Sequence, residues 1–161
     1  MGQKGREIVG PEVNGIISLL NQAVAAEALA AYRYLYLSRW AAGMEAAEIA
    51  EAFTKTSEEE WRHMSRLMDR IVELGGRPLT RPSEWENGSY AKFHEPPRDQ
   101  TDLKTMVVDS LAVERVAIEF YRDLVRKTEG KDMVTYLLAM ELLADEVKDE
   151  EFFESLLKGW K

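Results

Sequence analysis

Glu58-Glu59-Glu60-Trp61-Arg62-His63 and Asp145-Glu146-Val147-Lys148-Asp149 are the two stretches whose reading decides how this 161-residue chain folds. In each, a glutamate is followed three residues later by a second side chain able to ligate a metal, and positions three apart share one face of a helix. Each glutamate also has an acidic counterpart upstream. Glu27 precedes Glu60 by 33 residues, with Gly43 close to the middle, and Glu114 precedes Glu146 by 32, with Gly130 at the midpoint. If each stretch folds back at its glycine, the two carboxylates of a pair meet at one height on neighbouring antiparallel helices. Four helices, each with one inward carboxylate at mid-height, are the framework of a carboxylate-bridged two-metal site.

The flanking residues give the same four helices. Pro11, after Gly10, suits a first helical turn. From there to about Trp40, Val13, Ile17, Leu20, Val24, Glu27, Ala31 and Tyr34 share a face. Gly43 closes that pattern. A second helix runs from about Glu45 to Leu74, with Ile49, Phe53, Glu60, His63, Leu67, Ile71 and Leu74 inward, and Gly75-Gly76 stops it. Pro78, Pro82, Pro96, Pro97 and Asn87-Gly88 make residues from about 75 to 100 a long connection. A third helix, about Thr101 to Thr128, turns Val107, Leu111, Glu114, Ile118, Tyr121 and Val125 inward. A fourth, about Asp132 to Lys158, does so with Ala139, Leu142, Glu146, Asp149, Phe153 and Leu156. At 1.5 Å per residue each spans about 40 to 45 Å. The expected fold is all-α, a single domain over residues 1–161, an antiparallel four-helix bundle with one long crossover between helices two and three.

The halves also repeat. Tyr34 follows Glu27 by seven residues and Tyr121 follows Glu114 by seven, so the halves read Glu, Tyr, Glu, His and Glu, Tyr, Glu, Asp. A pseudo-twofold axis between the two hairpins would bring both around one centre.

The chemistry follows from what burial demands. An acid three residues before a histidine is weak evidence alone, because the chain has 29 acidic residues. The four glutamates, however, fall inside apolar stripes, a turn from Val24, Leu67, Ile118 and Leu142. Burying an unpartnered carboxylate costs on the order of several kcal/mol. Arg and Lys are sparse on the inward faces, so cations are the simplest compensation; a hydrogen-bonded polar core is the alternative. The candidate metal ligands are Glu27, Glu60, His63, Glu114, Glu146 and Asp149. Tyr34 is a candidate for hydrogen-bonding a ligand carboxylate or supplying an electron, with Tyr121 its weaker counterpart. Carboxylates with imidazole are hard ligands that suit iron or manganese, and zinc fits as an inert substitute. His94, among prolines, reads as structural or exposed. Met64, Met68, Met106 and Met140 read as packing, and Glu58, Glu59, Glu150 and Glu151 as outward or peripheral.

Composition narrows the setting. No run of about 18 apolar residues suggests a membrane span, and the N-terminus lacks the apolar stretch of a signal peptide. The absence of cysteine excludes disulfides and thiolate sites and fits the cytoplasm. A formal charge of -8 argues against DNA binding, to which Lys4 and Arg6 would contribute at most a short basic tail.

At these residues the chain resembles the ferritin-like superfamily, and within it the bacterioferritin type of site. The resemblance runs from about residue 12 to 158, through Glu27 and Tyr34, Glu58 to His63, Glu114, and Asp145 to Glu151. It implies that Glu60 and Glu146 bridge two metals, that Glu27 and Glu114 are terminal ligands, and that His63 is the imidazole ligand of one metal. These residues, with Tyr34, would carry catalysis. The implied activity is ferroxidase, the oxidation of Fe(II) by peroxide or dioxygen, with ferric mineral stored inside a homo-oligomeric shell. Asp149 stands where the family has a second histidine. Trp61 stands where bacterioferritin has its haem methionine, so haem is not expected. The fourth helix leaves no room for the fifth short helix of larger cages, and the connection can hold a short helix. Both features are similar to the twelve-subunit Dps-like starvation-protection miniferritins, including their archaeal members; a 24-subunit shell is the alternative. Those archaeal proteins usually carry a cysteine pair that this chain lacks. Other readings of the same bundle are a manganese catalase, a rubrerythrin-like peroxidase or a non-catalytic metal-binding scaffold.

Overall fold

The structure, a computed structural model, describes residues 3–160. A short helix α1 (Gln3–Glu7) and a 3₁₀ turn (Gly10–Glu12) lead into α2 (Val13–Trp40), and α3 (Ala46–Glu73) follows. The crossover holds a 3₁₀ turn (Pro82–Glu84) and the short α4 (Trp85–Gly88). Helices α5 (Leu103–Thr128) and α6 (Met133–Gly159) complete the bundle. The four long helices begin and end within about two residues of the expected bounds. The short helix that the crossover had room for is α4. The sequence did not reveal α1, which places Lys4 and Arg6 on a helical turn rather than in an extended tail, with Lys4 paired to Glu7 at 2.8 Å.

Local chemistry sets the turns. Asp102 and Asp132 each accept a hydrogen bond from the backbone N–H three residues on, at 3.1 Å, and so cap α5 and α6. Gly43 and Gly130, in the two hairpin turns, have φ of 112° and 71°, where a Cβ would strain the backbone.

α2 packs along α3 and α5 along α6. Apolar side chains gather in two cores. One holds Leu20, Val24, Leu67, Ile71, Tyr121, Leu124 and Leu142; the other holds Tyr34, Leu37, Phe53, Met106, Val107 and Phe153. On every long helix the acidic residue falls between members of the two cores: Glu27 between Val24 and Tyr34, Glu60 between Phe53 and Leu67, Glu114 between Val107 and Tyr121, Glu146 between Leu142 and Phe153. Two apolar plugs therefore enclose one polar layer.

Three expectations need correction. Ile17, Ile118, Val125 and Leu156 are only partly buried, while Ile16, Ala117 and Leu124 take the deeper positions. The apolar face of a helix with two neighbours is wider than a one-residue-per-turn stripe. Second, two arginines are buried, Arg33 at 2% exposure and Arg70 at 5%. Both flank the stripes, next to Tyr34 and Ile71, and reach acceptors on other elements. Arg70 donates to Thr135, Asp132 and Glu73 at 2.8–2.9 Å, tying α3 to the start of α6. Third, the stretch Gly10–Trp40 is long and apolar enough to cross a membrane by length and composition, because its alanine-rich centre carries few charges. In the bundle, half of that window is buried against the other helices.

The turn geometry makes a paired test. Gly130→Ala should destabilise the protein by about 1–2 kcal/mol, through left-handed backbone strain alone, since a Cβ there meets nothing within 4 Å. Gly15→Ala, at an exposed position inside α2 with equally open surroundings, should stabilise it by roughly 0.5–1 kcal/mol. Urea denaturation midpoints of the two variants check the opposite signs.

Candidate metal centre

Between the two cores, Glu27, Glu60, His63, Glu114 and Glu146 converge, none more than 3% exposed. One ligand atom from each of Glu27, Glu60, His63 and Glu146 lies within 4.8 Å of the others, and the same holds for Glu60, Glu114 and Asp149. Glu60 belongs to both groups, as a bridging carboxylate would. The structure thus brings together all six ligands expected from the sequence. Asp149 is only partly buried, at the edge of the layer rather than inside it.

His63 sits between two carboxylates. Its Nδ1 lies 3.2 Å from Glu60 Oε2 and 3.3 Å from Glu146 Oε1. Its Nε2 faces Asp145 Oδ2 at 3.6 Å. The i, i+3 spacing of Glu60 and His63 makes the first contact possible.

The tyrosines cross between hairpins. Tyr34 on α2 donates its hydroxyl hydrogen to Glu114 on α5, and Tyr121 on α5 donates to Glu27 on α2. The internal repeat therefore closes as a pair of reciprocal hydrogen bonds about the pseudo-twofold axis. Stacking against Phe53 and Phe153, with ring centroids 5.8 and 6.0 Å away, fixes the Tyr34 ring.

Electrostatically the layer is incomplete without positive charge. Burial pushes the carboxyls of Glu60, Glu114 and Glu146 well above the usual carboxylate range, and their mutual repulsion, with that of Glu27, adds to it. Asp149 is pushed up to about 7 by burial, then by Glu114 and Glu59. Burial likewise raises the phenols of Tyr34 and Tyr121. Among the described residues no lysine or arginine pairs with the four glutamates, and Glu146 Oε1 and His63 Nε2 are buried without a hydrogen-bond partner. The ligand groups could hold a metal ion, and such an oxygen-rich donor set suits hard divalent cations.

A cavity of about 30 Å³ opens on this layer. Glu27, Glu60, Glu114 and Glu146 line it together with Arg33, and crossover residues 89–94 form another wall. Sequence reasoning missed Arg33, because it lies off the apolar stripe, and Tyr90, because its crossover carries no periodicity. Tyr90 stacks on Phe120 at a centroid distance of 3.9 Å. Glu59, taken as peripheral, forms a further ligand group with His63 and Asp145; its position one residue before Glu60 turns it partly toward α6. His94 is exposed, as expected, and its backbone carbonyl accepts from Arg33 at 2.9 Å.

Raised native carboxyl pKa values set a sign. The folded, metal-free chain holds more protons than the unfolded chain above the ordinary carboxylate range, so its stability falls as pH rises. The fall should begin near pH 4 and run through about 7, where Asp149 ionises. Bound divalent cations should cancel it. Urea midpoints between about pH 5 and about pH 8, with and without Zn²⁺, check this.

Comparison with known proteins gives a consistent result. Residues 17–161 match the Ferritin family, described as a ferritin-like domain. A Pyrococcus furiosus protein named DNA protection during starvation protein is 34% identical over 156 residues, spanning 95% of this chain and 82% of that protein. The solved bacterioferritin-related protein of Bacteroides fragilis, described as a dodecameric thioferritin, superposes with a TM-score of 0.92 at 28% identity, covering 98% of this chain and 94% of that one. An archaeal Dps homologue from Halobacterium salinarum shares the fold, with a TM-score of 0.83 at 19% identity over 91% of this chain and 81% of that one.

Proposed function

The chain belongs to the ferritin-like family, and from that premise we propose that it is a ferroxidase that takes up and stores iron, protecting against oxidative damage. The observation that carries this reading is the buried layer of four glutamates, with Glu60 common to two ligand groups and, among the described residues, no arginine or lysine ion-paired with it.

Iron is the substrate here. In this reading Glu60 and Glu146 bridge two ferrous ions, Glu27 and His63 complete one site, and Glu114 and Asp149 the other; the presence of Glu60 in both ligand groups supports it. Two ferrous ions together supply the two electrons, and the medium two protons, that convert one hydrogen peroxide to two waters. Dioxygen is the alternative oxidant. The reciprocal tyrosines hold the terminal carboxylates in place: Tyr34 orients Glu114 and Tyr121 orients Glu27. Oxygen ligands and one imidazole favour iron or manganese and admit zinc. Haem has no role in this reading.

The chain acts as a homo-oligomeric shell of twelve subunits. Exposed apolar residues on α2, with Tyr32 at 56%, Leu35 at 40% and Tyr36 at 38% exposure, share one face by their spacing and suit burial between copies. Protection of DNA proceeds through removal of iron and peroxide rather than through contact. The chain carries a net charge of -8, and the nearest basic turn, in α1, has Lys4 already paired to Glu7.

Adding Fe(II) to the metal-free protein with peroxide present should give a fast oxidation phase of about two irons per chain, then slow uptake of many more. Glu60→Ala should abolish the fast phase, losing more than the roughly 10–100-fold that supporting groups contribute. Tyr34→Phe should slow it by about tenfold without changing the stoichiometry. Oxidation by the wild type no faster than by Glu60→Ala would overturn the ferroxidase reading. A native mass of a monomer or dimer would overturn the shell.

A further inference from the structure

The three tyrosines near the metal layer differ in their surroundings. Tyr34 is fully buried and stacks against Phe53 and Phe153, which are buried in turn. The guanidinium carbon of Arg33 lies 5.8 Å from its ring centroid. A cation over a ring is held by the π electrons, so drawing one of them from Tyr34 works against that charge. Tyr121 stands in the matching place on α5, where its hydroxyl donates to Glu27. Among the described residues no cation faces its ring.

Tyr121 also leads outward. Its ring meets Phe120 edge to face, with centroids 5.6 Å apart and planes at 79°. Phe120 lies flat on Tyr90 of the crossover, at 3.9 Å and 11°. Three rings in contact therefore run from the hydrogen bond at Glu27 to a partly exposed phenol. Tyr90 lines the same cavity as the four glutamates. Among the described residues its hydroxyl makes no hydrogen bond, so the packing uses its ring and leaves its oxygen uncommitted. Burial, and then Glu27, push that phenol well above its ordinary range. It is protonated at neutral pH and gives up a proton whenever it gives up an electron.

We propose that Tyr90 is a one-electron reservoir for the metal layer, reached through Tyr121 and Phe120; this rests on the ferroxidase reading above. Hydrogen peroxide takes two electrons on its way to water, and a chain holding a single ferrous ion supplies only one. Unequal ligand groups, one with His63 and the other with the partly exposed Asp149, fill unevenly when iron is scarce. Without a second donor such a chain would release a hydroxyl radical. With Tyr90 connected, the O–O bond breaks as one electron comes from the ferrous ion and one from the phenol. The proton of the phenol and one from the medium complete two waters, leaving a ferric ion and a tyrosyl radical. The partial exposure of Tyr90 gives its proton a way to solvent. The next ferrous ion returns an electron, and the medium a proton, which restores the phenol. Tyr121 and Phe120 serve only as the bridge.

The test uses the full chain, loaded with one ferrous ion per chain, mixed with hydrogen peroxide and frozen rapidly for electron paramagnetic resonance. Wild type should show ferric iron together with a tyrosyl radical. Tyr90→Phe, which keeps the stacked ring, should form ferric iron, lose the radical and release more hydroxyl radical to a spin trap. Phe120→Leu, which breaks the bridge and keeps both hydroxyls, should lower the radical yield, whereas Tyr34→Phe should retain it. No ferric iron in the wild type would sink the ferroxidase reading and this proposal with it. Ferric iron without a radical would sink this proposal alone, as would a radical unchanged in Tyr90→Phe.

Discussion

Repulsion among buried carboxylates is the constraint around which this bundle is organised. Glu60, Glu114 and Glu146 are pushed toward the protonated form by burial and by one another, and an uncompensated layer of this kind would open a small bundle. Two apolar cores, one on each side, hold it shut. The tyrosines link the hairpins across it, each donating to the first glutamate of the other hairpin. Stability and chemistry are therefore opposed at one place: the packing that makes the layer costly also keeps it ready for cations. Proton loss on metal binding is the thermodynamic link between the two.

The pseudo-twofold symmetry is broken at one pair of positions. His63 brings an imidazole to one half, where Glu27 is its partner. Asp149 brings a further acid to the other, beside Glu114. Asp149 is also more exposed and ionises near neutrality, at about 7. The two halves thus differ in charge and in solvent access while sharing Glu60. Asp145 behind His63 and Lys148 beside Asp145, at 2.5 Å, extend the polar network toward the surface of α6.

Much of this was legible because both cues are periodic. The spacing of Glu27 and Glu60 about Gly43, and of Glu114 and Glu146 about Gly130, fixed hairpin length and carboxylate height together. Helix bounds followed from prolines, glycines and the apolar stripes; the capping aspartates Asp102 and Asp132 emerged only with the structure. What escaped lies where periodicity fails. Arg33 and Arg70 sit beside the stripes, and only the partners on other elements explain their burial. Tyr90 reaches the layer from a crossover with no repeating pattern. The membrane-like hydropathy of Gly10–Trp40 arises from alanines packed against neighbouring helices. Tyr34 and Tyr121 were recognisable as a matched pair, but their exchange between hairpins depends on helix rotation that spacing alone does not give.

The central claim is that six side chains form two adjoining cation sites with Glu60 in common. Equilibrium titration of the metal-free chain with Co²⁺, followed by its visible absorption, tests it most directly. The expected result is about two ions per chain, about one in Asp149→Asn, and weakened binding of both in Glu60→Ala. No stoichiometric binding to the wild type, or two ions bound just as tightly by Glu60→Ala, would contradict it.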